Sequence, residues 1–258
     1  MNDLFDIAGK NVLITGGARG LGRMIAEGLV RAGAKVYVTS RDAAELGRAV
    51  ADLSALGTCI PLLLPKMTAE NLIALAAELA RRESRLHVLV NNAGRTWGAP
   101  LESFPDSAWA DVFAVNVQAP FTLTRALLPL LTAAATSDDP ARVLNIGSLA
   151  GTVVERLNAF SYASSKAALH HLSKELAAEL APRHITVNLI APGYFETRMT
   201  SHIRADETAT EKLLSRVPLG RFGRGDDIVG ACLFLASRAG SYMTGSEIFI
   251  DGGLSGCR

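Results

Sequence analysis

The sequence has few of the features that mark metal-binding, secreted or membrane proteins. Its three cysteines, Cys59, Cys232 and Cys257, are widely separated, so they match neither a zinc-binding spacing nor a disulfide framework. No apolar run reaches the roughly 18 residues of a transmembrane helix. The amino terminus, "MNDLFDIAGK", lacks the apolar core of a signal peptide. We therefore expect a cytoplasmic protein without a metal site, in which two of the reduced thiols are buried.

A strong charge bias is missing as well. The 26 Lys and Arg residues balance 25 Asp and Glu residues, which gives a formal net charge of +1. This balance does not indicate a nucleic-acid or membrane partner. The 258 residues are 49% hydrophobic, enough to build one large core. We expect a single domain over residues 1–258.

Short apolar runs rich in β-branched residues recur along the chain, with helical segments between them. The runs are continuous rather than alternating, which is typical of parallel strands buried on both faces. The pattern predicts an α/β fold: a single-domain Rossmann-type doubly wound parallel sheet of about seven strands with helices on both faces. The predicted strands are 11–15, 35–39, 59–64, 87–91, 142–147, 185–190 and 247–251, and the predicted helices are 21–32, 42–56, 69–82, 107–133, 161–181 and 225–237.

A glycine-rich loop follows the first predicted strand. The strand runs into Gly16, Gly20 and Gly22, and a predicted helix begins at once. Glycines in such a turn let backbone amides approach a pyrophosphate, and the helix N-terminus adds a partial positive charge. This order of strand, loop and helix predicts a dinucleotide-binding site.

The end of the second strand indicates which dinucleotide is bound. An acidic residue there would bind the ribose 2′-hydroxyl of NAD(H), but this chain has Ser40 followed by Arg41, and Asp42 comes after the turn. Arg41, together with Arg19 from the glycine loop, suits a 2′-phosphate, so we expect NADP(H). Two alternatives stay open: both arginines are solvated, or a longer strand brings Asp42 to the ribose.

The stretch "YASSK" places Tyr162 and Lys166 on one face of a predicted helix. Free tyrosine has a pKa of about 10, and a nearby ammonium lowers it. Ser148 follows a predicted strand at the sheet edge where α/β proteins bind ligands, so its hydroxyl could hold a substrate carbonyl. Asn116 lies inside the predicted helix 107–133, where asparagine is disfavoured. It either relays a proton through water to Lys166 or is a buried amide bonded to the backbone.

Together these motifs resemble the short-chain dehydrogenase/reductase family over nearly the whole chain, and most of all its NADPH-dependent 3-oxoacyl reductase branch. The resemblance implies hydride transfer between NADP(H) and a carbonyl or secondary alcohol, foremost reduction of a 3-oxoacyl thioester or similar ketone. An NAD(P)-dependent alcohol, sugar-acid or steroid dehydrogenase is an alternative, and a non-catalytic dinucleotide-binding sensor is another. The matching blocks are TGxxxGxG (15–22), NNAG (91–94), Asn116, Ser148, YxxxK (162–166), Pro192-Gly193 with Thr197, and MTGSEIFIDGG (243–253).

The resemblance implies a role for each matched residue. Tyr162 is the general acid in reduction and the base in oxidation, and Lys166 lowers its pKa and binds the nicotinamide ribose. Ser148 orients the carbonyl, and Asn116 anchors a water. Lys66 departs from the family, which usually has an acidic residue there facing the adenine; it either replaces that residue or is a surface lysine. The cofactor-binding residues implied are Gly16, Arg19, Gly20, Leu21, Gly22, Ser40, Arg41, Met67, Asn92, Ala93, Gly94, Tyr162, Lys166, Pro192, Gly193 and Thr197.

Residues 194–222 are polar and lack a clear strand, so we expect a substrate loop there. Its basic residues either meet an acidic substrate carrier or are solvated. The long helices 107–133 and 161–181 pair between subunits in this family, which implies a homotetramer or a dimer. The basic loop residues are Arg198, His202, Arg204 and Lys212, and the expected apolar substrate contacts are Trp97, Leu157, Tyr194, Phe195 and Met199.

Overall fold

The fold is built on one parallel sheet. A computed structural model describes residues 4–155, 157–197 and 200–257, without the side chains of residues 202 and 203. The strands are β1 (Asn11–Ile14), β2 (Lys35–Ser40), β3 (Cys59–Leu63), β4 (Val88–Asn91), β5 (Ala141–Ile146), β6 (Ile185–Pro192) and β7 (Glu247–Ile250). Within the described residues they form a 7-stranded sheet in the order β3-β2-β1-β4-β5-β6-β7.

Helices cover both faces of the sheet. One apolar cluster joins α1, α2 and α9 to one face, and a second joins α3, α5 and α6 to the other. The predicted doubly wound Rossmann-type fold is therefore confirmed. The helices are α1 (Gly20–Arg31), α2 (Ala43–Ser54), α3 (Ala69–Arg82), α4 (Ser107–Phe113), α5 (Ala119–Ala134), α6 (Phe160–Leu180), α7 (Ser201–Arg204), α8 (Glu207–Leu214) and α9 (Gly225–Ala236).

The predicted strands and helices agree with the structure to within about two residues at each end, with one exception. Residues 107–133 were expected to form one helix, but a π-helical turn over Ala114–Gln118 separates α4 from α5. Asn116 sits in this turn, where its buried side chain bonds to the backbone of Arg95. Helical periodicity cannot reveal such a turn, because the bonding partner lies 21 residues away in the chain.

A buried polar chain joins the elements that carry the candidate site. Asn91 at the end of β4 donates through Nδ2 to Asn145 Oδ1 on β5 at 2.9 Å. Asn145 in turn donates to Ser173 Oγ on α6 at 2.9 Å, and Ser173 donates to the Leu169 carbonyl at 2.7 Å. Because buried amides that lose a partner are costly, this chain holds α6 in register with the sheet.

The cysteines are where the sequence pattern puts them. Cys59 and Cys232 are buried, and burial raises their thiol pKa to about 11 and about 12 respectively, so both are protonated at neutral pH. Cys257 is exposed. Among the described ranges, no helix is both long enough and apolar enough to cross a membrane.

Two helix glycines are predicted to respond oppositely to an added methyl group. A Cβ at Gly28 on α1 would overlap the stiff side chain of Val229 on α9, whereas a Cβ at Gly47 on α2 meets no atom within 4 Å. Gly28→Ala should lower the free energy of unfolding by about 1–3 kcal/mol through overpacking. Gly47→Ala should raise it by about 0.5–1 kcal/mol through helix propensity.

Urea unfolding followed by circular dichroism measures both changes. If Gly28→Ala were as stable as wild type, the close packing of α1 on α9 would be refuted.

Candidate active site

The candidate site lies at the carboxyl ends of the strands, where β1 and β4 are neighbours and the strand order reverses. Hydrogen bonds join the segments that leave these two strands. Thr15 Oγ1 accepts from the backbone N–H groups of Asn92 and Ala93, both at 3.0 Å. Asn92 Nδ2 donates to the carbonyls of Thr15 at 2.9 Å and Gly16 at 3.2 Å. Ligands of α/β sheets bind at such a switch point.

The glycine loop leaves little space for side chains at its glycine positions. Gly16 and Gly20 have φ values of +67° and +54°, which favour glycine. A Cβ at Gly22 would overlap the Gly16 carbonyl and the Asn92 amide, and one at Gly20 would lie 3.9 Å from Thr197. The loop thus brings backbone amides and the first turn of α1 to one place, a cradle that fits a pyrophosphate. Thr197 lies beside this loop, and its contact with the nicotinamide carboxamide stays a prediction.

The position where β2 ends shows whether Asp42 can reach the cofactor ribose. The strand ends at Ser40, and Asp42 is the N-cap of α2, where its Oδ1 accepts from the Glu45 N–H at 2.9 Å. This hydrogen bond lowers the pKa of Asp42. The longer strand that an NAD site at Asp42 requires is absent, so that alternative is wrong. Arg41 is exposed beside it.

Glu45 places a carboxylate where the sequence led us to expect only a phosphate ligand. Ser40 Oγ donates to Glu45 Oε2 at 3.2 Å, and Glu45 Oε1 lies 3.5 Å from Arg19 Nη1. The Arg19 side chain is half exposed. Arg19 and Ser40 therefore both contact Glu45 near the end of β2, and the exposed Arg41 follows Ser40 directly in the chain.

Ser148, Tyr162 and Lys166 come together at the ends of β5 and α6. Ser148 begins the turn after β5, and its Oγ accepts from the Ala150 N–H at 3.2 Å. The Ser148 hydroxyl lies near the Tyr162 phenol and lowers its pKa. Lys166 Nζ lies 5.7 Å from the centroid of the Tyr162 ring and donates to the Ile146 carbonyl at 2.7 Å. The three predicted side chains thus share one pocket.

The expected lowering of the Tyr162 pKa is wrong for this structure. Burial raises the pKa of Tyr162, and the nearby Ser148 hydroxyl offsets only part of that rise. Burial likewise lowers the pKa of Lys166 to about 8. Desolvation of both groups outweighs the attraction between the ammonium and a phenolate. At neutral pH the phenol is protonated, which is the form that a proton donor requires.

Asn116 faces the same pocket from the π-helical turn. Its Oδ1 accepts from the Arg95 N–H at 2.8 Å, and its Nδ2 donates to the Arg95 carbonyl at 2.8 Å and to Ser165 Oγ at 2.9 Å. Both Nδ2 hydrogens are therefore used, and one Oδ1 lone pair remains. A Cβ built at Gly94 would lie 3.6 Å from Asn116 Oδ1 and 3.8 Å from Lys166 Nζ. The structure therefore confirms that Asn116 is a buried amide bonded to the backbone. A proton relay from Asn116 through water to Lys166 stays a prediction.

The chain was compared with known proteins. A family model described as enoyl-(acyl carrier protein) reductase matches residues 16–255. The chain belongs to the short-chain dehydrogenase/reductase family. It is 46% identical over 253 residues to the rhamnolipids biosynthesis 3-oxoacyl-(acyl-carrier-protein) reductase of Pseudomonas aeruginosa, covering 98% of this chain and 99% of that protein.

Two further relatives are informative. The structure of the Pseudomonas aeruginosa RhlG/NADP active-site complex superposes with a TM-score of 0.96 at 46% identity, covering 99% of this chain and 100% of that one. The 5-keto-D-gluconate 5-reductase of Escherichia coli strain K12 is 37% identical over 255 residues, covering 98% of each chain. These short-chain dehydrogenase/reductase relatives establish that the chain is an oxidoreductase acting on C=O or CH–OH groups.

The remaining family positions frame the pocket less closely. Pro192 ends β6, and the Gly193 N–H donates to the Ile250 carbonyl at 3.0 Å. Leu21 is half-buried against the core under α1. Met67 packs at the edge of the second apolar cluster, whereas Lys66 is exposed. The surface-lysine reading of Lys66 agrees with this exposure.

The expected apolar contacts divide into two groups. Trp97 and Leu157 are exposed, and their segments meet where the Ala99 N–H donates to the Asn158 carbonyl at 3.0 Å. Phe195 was expected to contact substrate, but it is 2% exposed and packs on Gly223 in the core, so that expectation is wrong. Tyr194 donates to Glu155 Oε2 at 2.6 Å. Arg198, Met199 and the side chain of His202 lie outside the described residues.

Three residues at the site were missed by reasoning from sequence. Ser165 bonds Asn116 and also donates to the Tyr162 carbonyl at 2.7 Å. Glu45 lies three residues after the Asp42 cap, a capping-box spacing that could have drawn attention to it. His170 is one helical turn beyond Lys166 and is buried; its spacing puts it on the catalytic face. Among the described residues, no group of three His, Cys, Asp or Glu side chains could hold a metal ion.

Proposed function

We propose that the protein is an NADP(H)-dependent reductase whose substrate is a 3-oxoacyl thioester or a similar ketone. The observation that carries the proposal is the pair of Ser148 and Tyr162 beside Lys166, at the same sheet edge as the glycine loop. The 46% identical relative is named as a 3-oxoacyl reductase, and the similar solved structure is an NADP complex. Such a pair has no use in a protein that only senses a dinucleotide.

Each side chain has a step in reduction. The reduced nicotinamide, when bound, supplies the hydride. The protonated Tyr162 phenol donates its proton to the oxygen that becomes the alcohol. The Ser148 hydroxyl donates a hydrogen bond to the same oxygen and stabilises the charge that develops there. In oxidation Tyr162 would accept the proton as a phenolate, and its raised pKa would leave little phenolate at neutral pH.

Lys166 and Asn116 support the proton transfer. Because the pKa of Lys166 is about 8, its ammonium titrates close to neutral pH and can return a proton to Tyr162. The free lone pair of Asn116 Oδ1 and Lys166 Nζ face one region beside Gly94. A water held there would link Lys166 toward solvent.

The cofactor would lie across the switch point. The glycine loop would hold the pyrophosphate on the amides of Gly16, Gly20, Leu21 and Gly22, and Arg19, Ser40 and Arg41 would take the 2′-phosphate. Asn92, Ala93 and Gly94 would line the adenosine ribose, and Met67 would lie near the adenine. Tyr162 and Lys166 would bind the nicotinamide ribose, with Pro192, Gly193 and Thr197 around the carboxamide.

An apolar rim supports an acyl substrate. Trp97, Val154 and Leu157 are 42%, 83% and 48% exposed, and an alkyl chain would cover part of this surface. A keto-sugar is the second candidate, because the 5-keto-D-gluconate 5-reductase relative is 37% identical over the same length. A polyol would gain little binding free energy from these exposed apolar side chains.

The activity test uses separate fluorescence titrations with NADPH and NADH, followed by substrates added to the tighter complex. The panel holds 3-oxoacyl thioesters, an enoyl thioester, simple ketones and 5-keto-gluconate, and reduced-cofactor absorbance reports turnover. Turnover of the 3-oxoacyl thioester with NADPH supports the proposal. Turnover of the keto-sugar alone assigns the second candidate, and tight binding without turnover on any substrate refutes both candidates.

We also propose a cytoplasmic homotetramer of single-domain subunits, each with a substrate loop over residues 194–222. Two observations support self-association. Trp109 on α4 and Phe121 on α5 are exposed apolar side chains on helices that flank the site, and Leu219 and Tyr242 are exposed near the carboxyl-terminal region. Light scattering behind a sizing column distinguishes a tetramer from a dimer or a monomer.

Tyr162→Phe should remove the proton donor and leave the cofactor site intact. We expect kcat to fall by about 10²–10⁴-fold, because general acid catalysis contributes that much, while the Kd for NADPH stays within about twofold. Tyr242→Phe is the matched control, since Tyr242 is fully exposed. If Tyr162→Phe kept the wild-type kcat, Tyr162 would not be the proton donor.

Arg41→Ala should weaken NADPH far more than NADH. Loss of a charge-assisted hydrogen bond of about 1.5–3 kcal/mol corresponds to roughly 10–150-fold in Kd. The Kd for NADH should change by less than about twofold, and Arg48→Ala on exposed α2 is the control. Equal weakening of both cofactors would show that Arg41 does not contact the 2′-phosphate.

Glu45→Gln should tighten NADPH. The carboxylate lies against Arg19 and Ser40, where it competes with and repels a 2′-phosphate. We expect the Kd for NADPH to fall about threefold or more and the Kd for NADH to be unchanged, with Glu27→Gln on the surface of α1 as the control. Weaker NADPH binding would mean that Glu45 serves instead to hold Arg19 in place.

A further inference from the structure

His170 lies directly beneath the turn that carries Ser148. It follows Lys166 by one helical turn on α6 and is 5% exposed. Its Nε2 atom faces the Ser148 N–H at 3.5 Å, a long hydrogen bond. A Cβ at Gly147 or Gly151 would lie only 2.6 Å or 2.8 Å from Nε2. The imidazole therefore packs against bare backbone on both sides of Ser148.

The other ring nitrogen is held by β7. His170 Nδ1 lies 3.2 Å from Glu247 Oε2 and 3.4 Å from Thr152 Oγ1. Glu247 Oε1 also pairs with Lys174 Nζ at 2.8 Å. Because a carboxylate only accepts hydrogen bonds, we assign the proton of the neutral ring to Nδ1. The Nε2 lone pair then points at the Ser148 N–H.

Burial, together with two neighbouring lysines, keeps the His170 ring neutral at pH 7. Burial lowers the pKa of His170, and the carboxylate of Glu247 opposes this. Lys166 and Lys174, on the same helix, lower the pKa further. The turn on the opposite side supplies only the uncharged Ser148 and Thr152. The folded pKa consequently lies below the ordinary value of about 6.5.

We propose that His170 and Glu247 form a positioning pair that sets the orientation of Ser148 through the backbone of the turn 147–152. The inference rests on the proposed function, in which Ser148 binds the substrate oxygen. Protonation of the ring would bring an Nε2–H against the Ser148 N–H, two donors facing each other. The turn would shift, and the Ser148 hydroxyl would lose its alignment with Tyr162.

The kinetic test compares four variants across pH 5–8 at saturating NADPH. His170→Gln supplies an acceptor that does not titrate, so its kcat should stay within about threefold of wild type at pH 7.5. The acidic limb, which is the fall of kcat at low pH that we attribute to protonation of His170, should disappear. His170→Leu supplies no acceptor, and kcat should fall about tenfold or more with the NADPH Kd unchanged. Glu247→Gln should move the acidic limb to lower pH, because the carboxylate raises the pKa of His170.

His171→Gln is the matched control. His171 is the next residue on α6, but it is exposed and pairs with Glu175 on the surface, so rates and pH profile should stay at wild type. Equal kcat values for His170→Gln and His170→Leu, or an unchanged acidic limb in His170→Gln, would overturn the proposal.

A second measurement does not depend on turnover. In the wild-type protein labelled with ¹⁵N-serine and ¹⁵N-histidine, the Ser148 amide resonance should titrate with the same midpoint as the His170 ring. His170→Gln should abolish that titration. If no substrate is turned over while the two titrations coincide, the proposed function fails and the contact of the pair with Ser148 stands. A Ser148 amide that ignores the His170 titration would refute the pair.

Discussion

The pairing of β1 with β4 is the constraint on which the site depends. These strands are neighbours in space, yet β2 and β3 separate them along the chain, so the segments that leave them turn to opposite sides. The crevice between the segments is bounded by the glycine loop and by residues 92–94. Thr15 and Asn92 bridge it with hydrogen bonds from the side chain of each to the backbone of the other, so the loop is tied to the end of β4. Every other part of the site is positioned relative to this crevice.

The second constraint is burial: Lys166 is buried, and Ser148 and Tyr162 are partly buried. Ser148 and Lys166 are brought together because β5 adjoins β4 and α6 packs across β6. Burial then controls their chemistry, since it raises the pKa of Tyr162 and lowers that of Lys166. Both changes favour a protonated phenol beside a lysine that titrates near neutral pH, an arrangement suited to carbonyl reduction.

Polar side chains that do not touch the reacting atoms hold this arrangement in place. Asn116 fixes the Arg95 backbone and, through Ser165, the start of α6. His170 and Glu247 hold the turn that carries Ser148. At the other end of the site, Glu45 on α2 pairs with Arg19 in the glycine loop. All of these side chains act through hydrogen bonds between elements distant in the chain.

The sequence by itself determined the strands, most helices and the motif residues. Apolar runs, helical periodicity and glycine spacing are local properties, and the right-handed crossover of parallel strands leaves few ways to assemble them. Only the tertiary structure decided the burial of Phe195 in the core and the π-helical turn at Asn116. It also decided the direction of the Tyr162 pKa shift and the contact of His170 with Ser148. Each of these depends on solvent exclusion or on a partner far away in the chain, and neither is encoded in a local pattern.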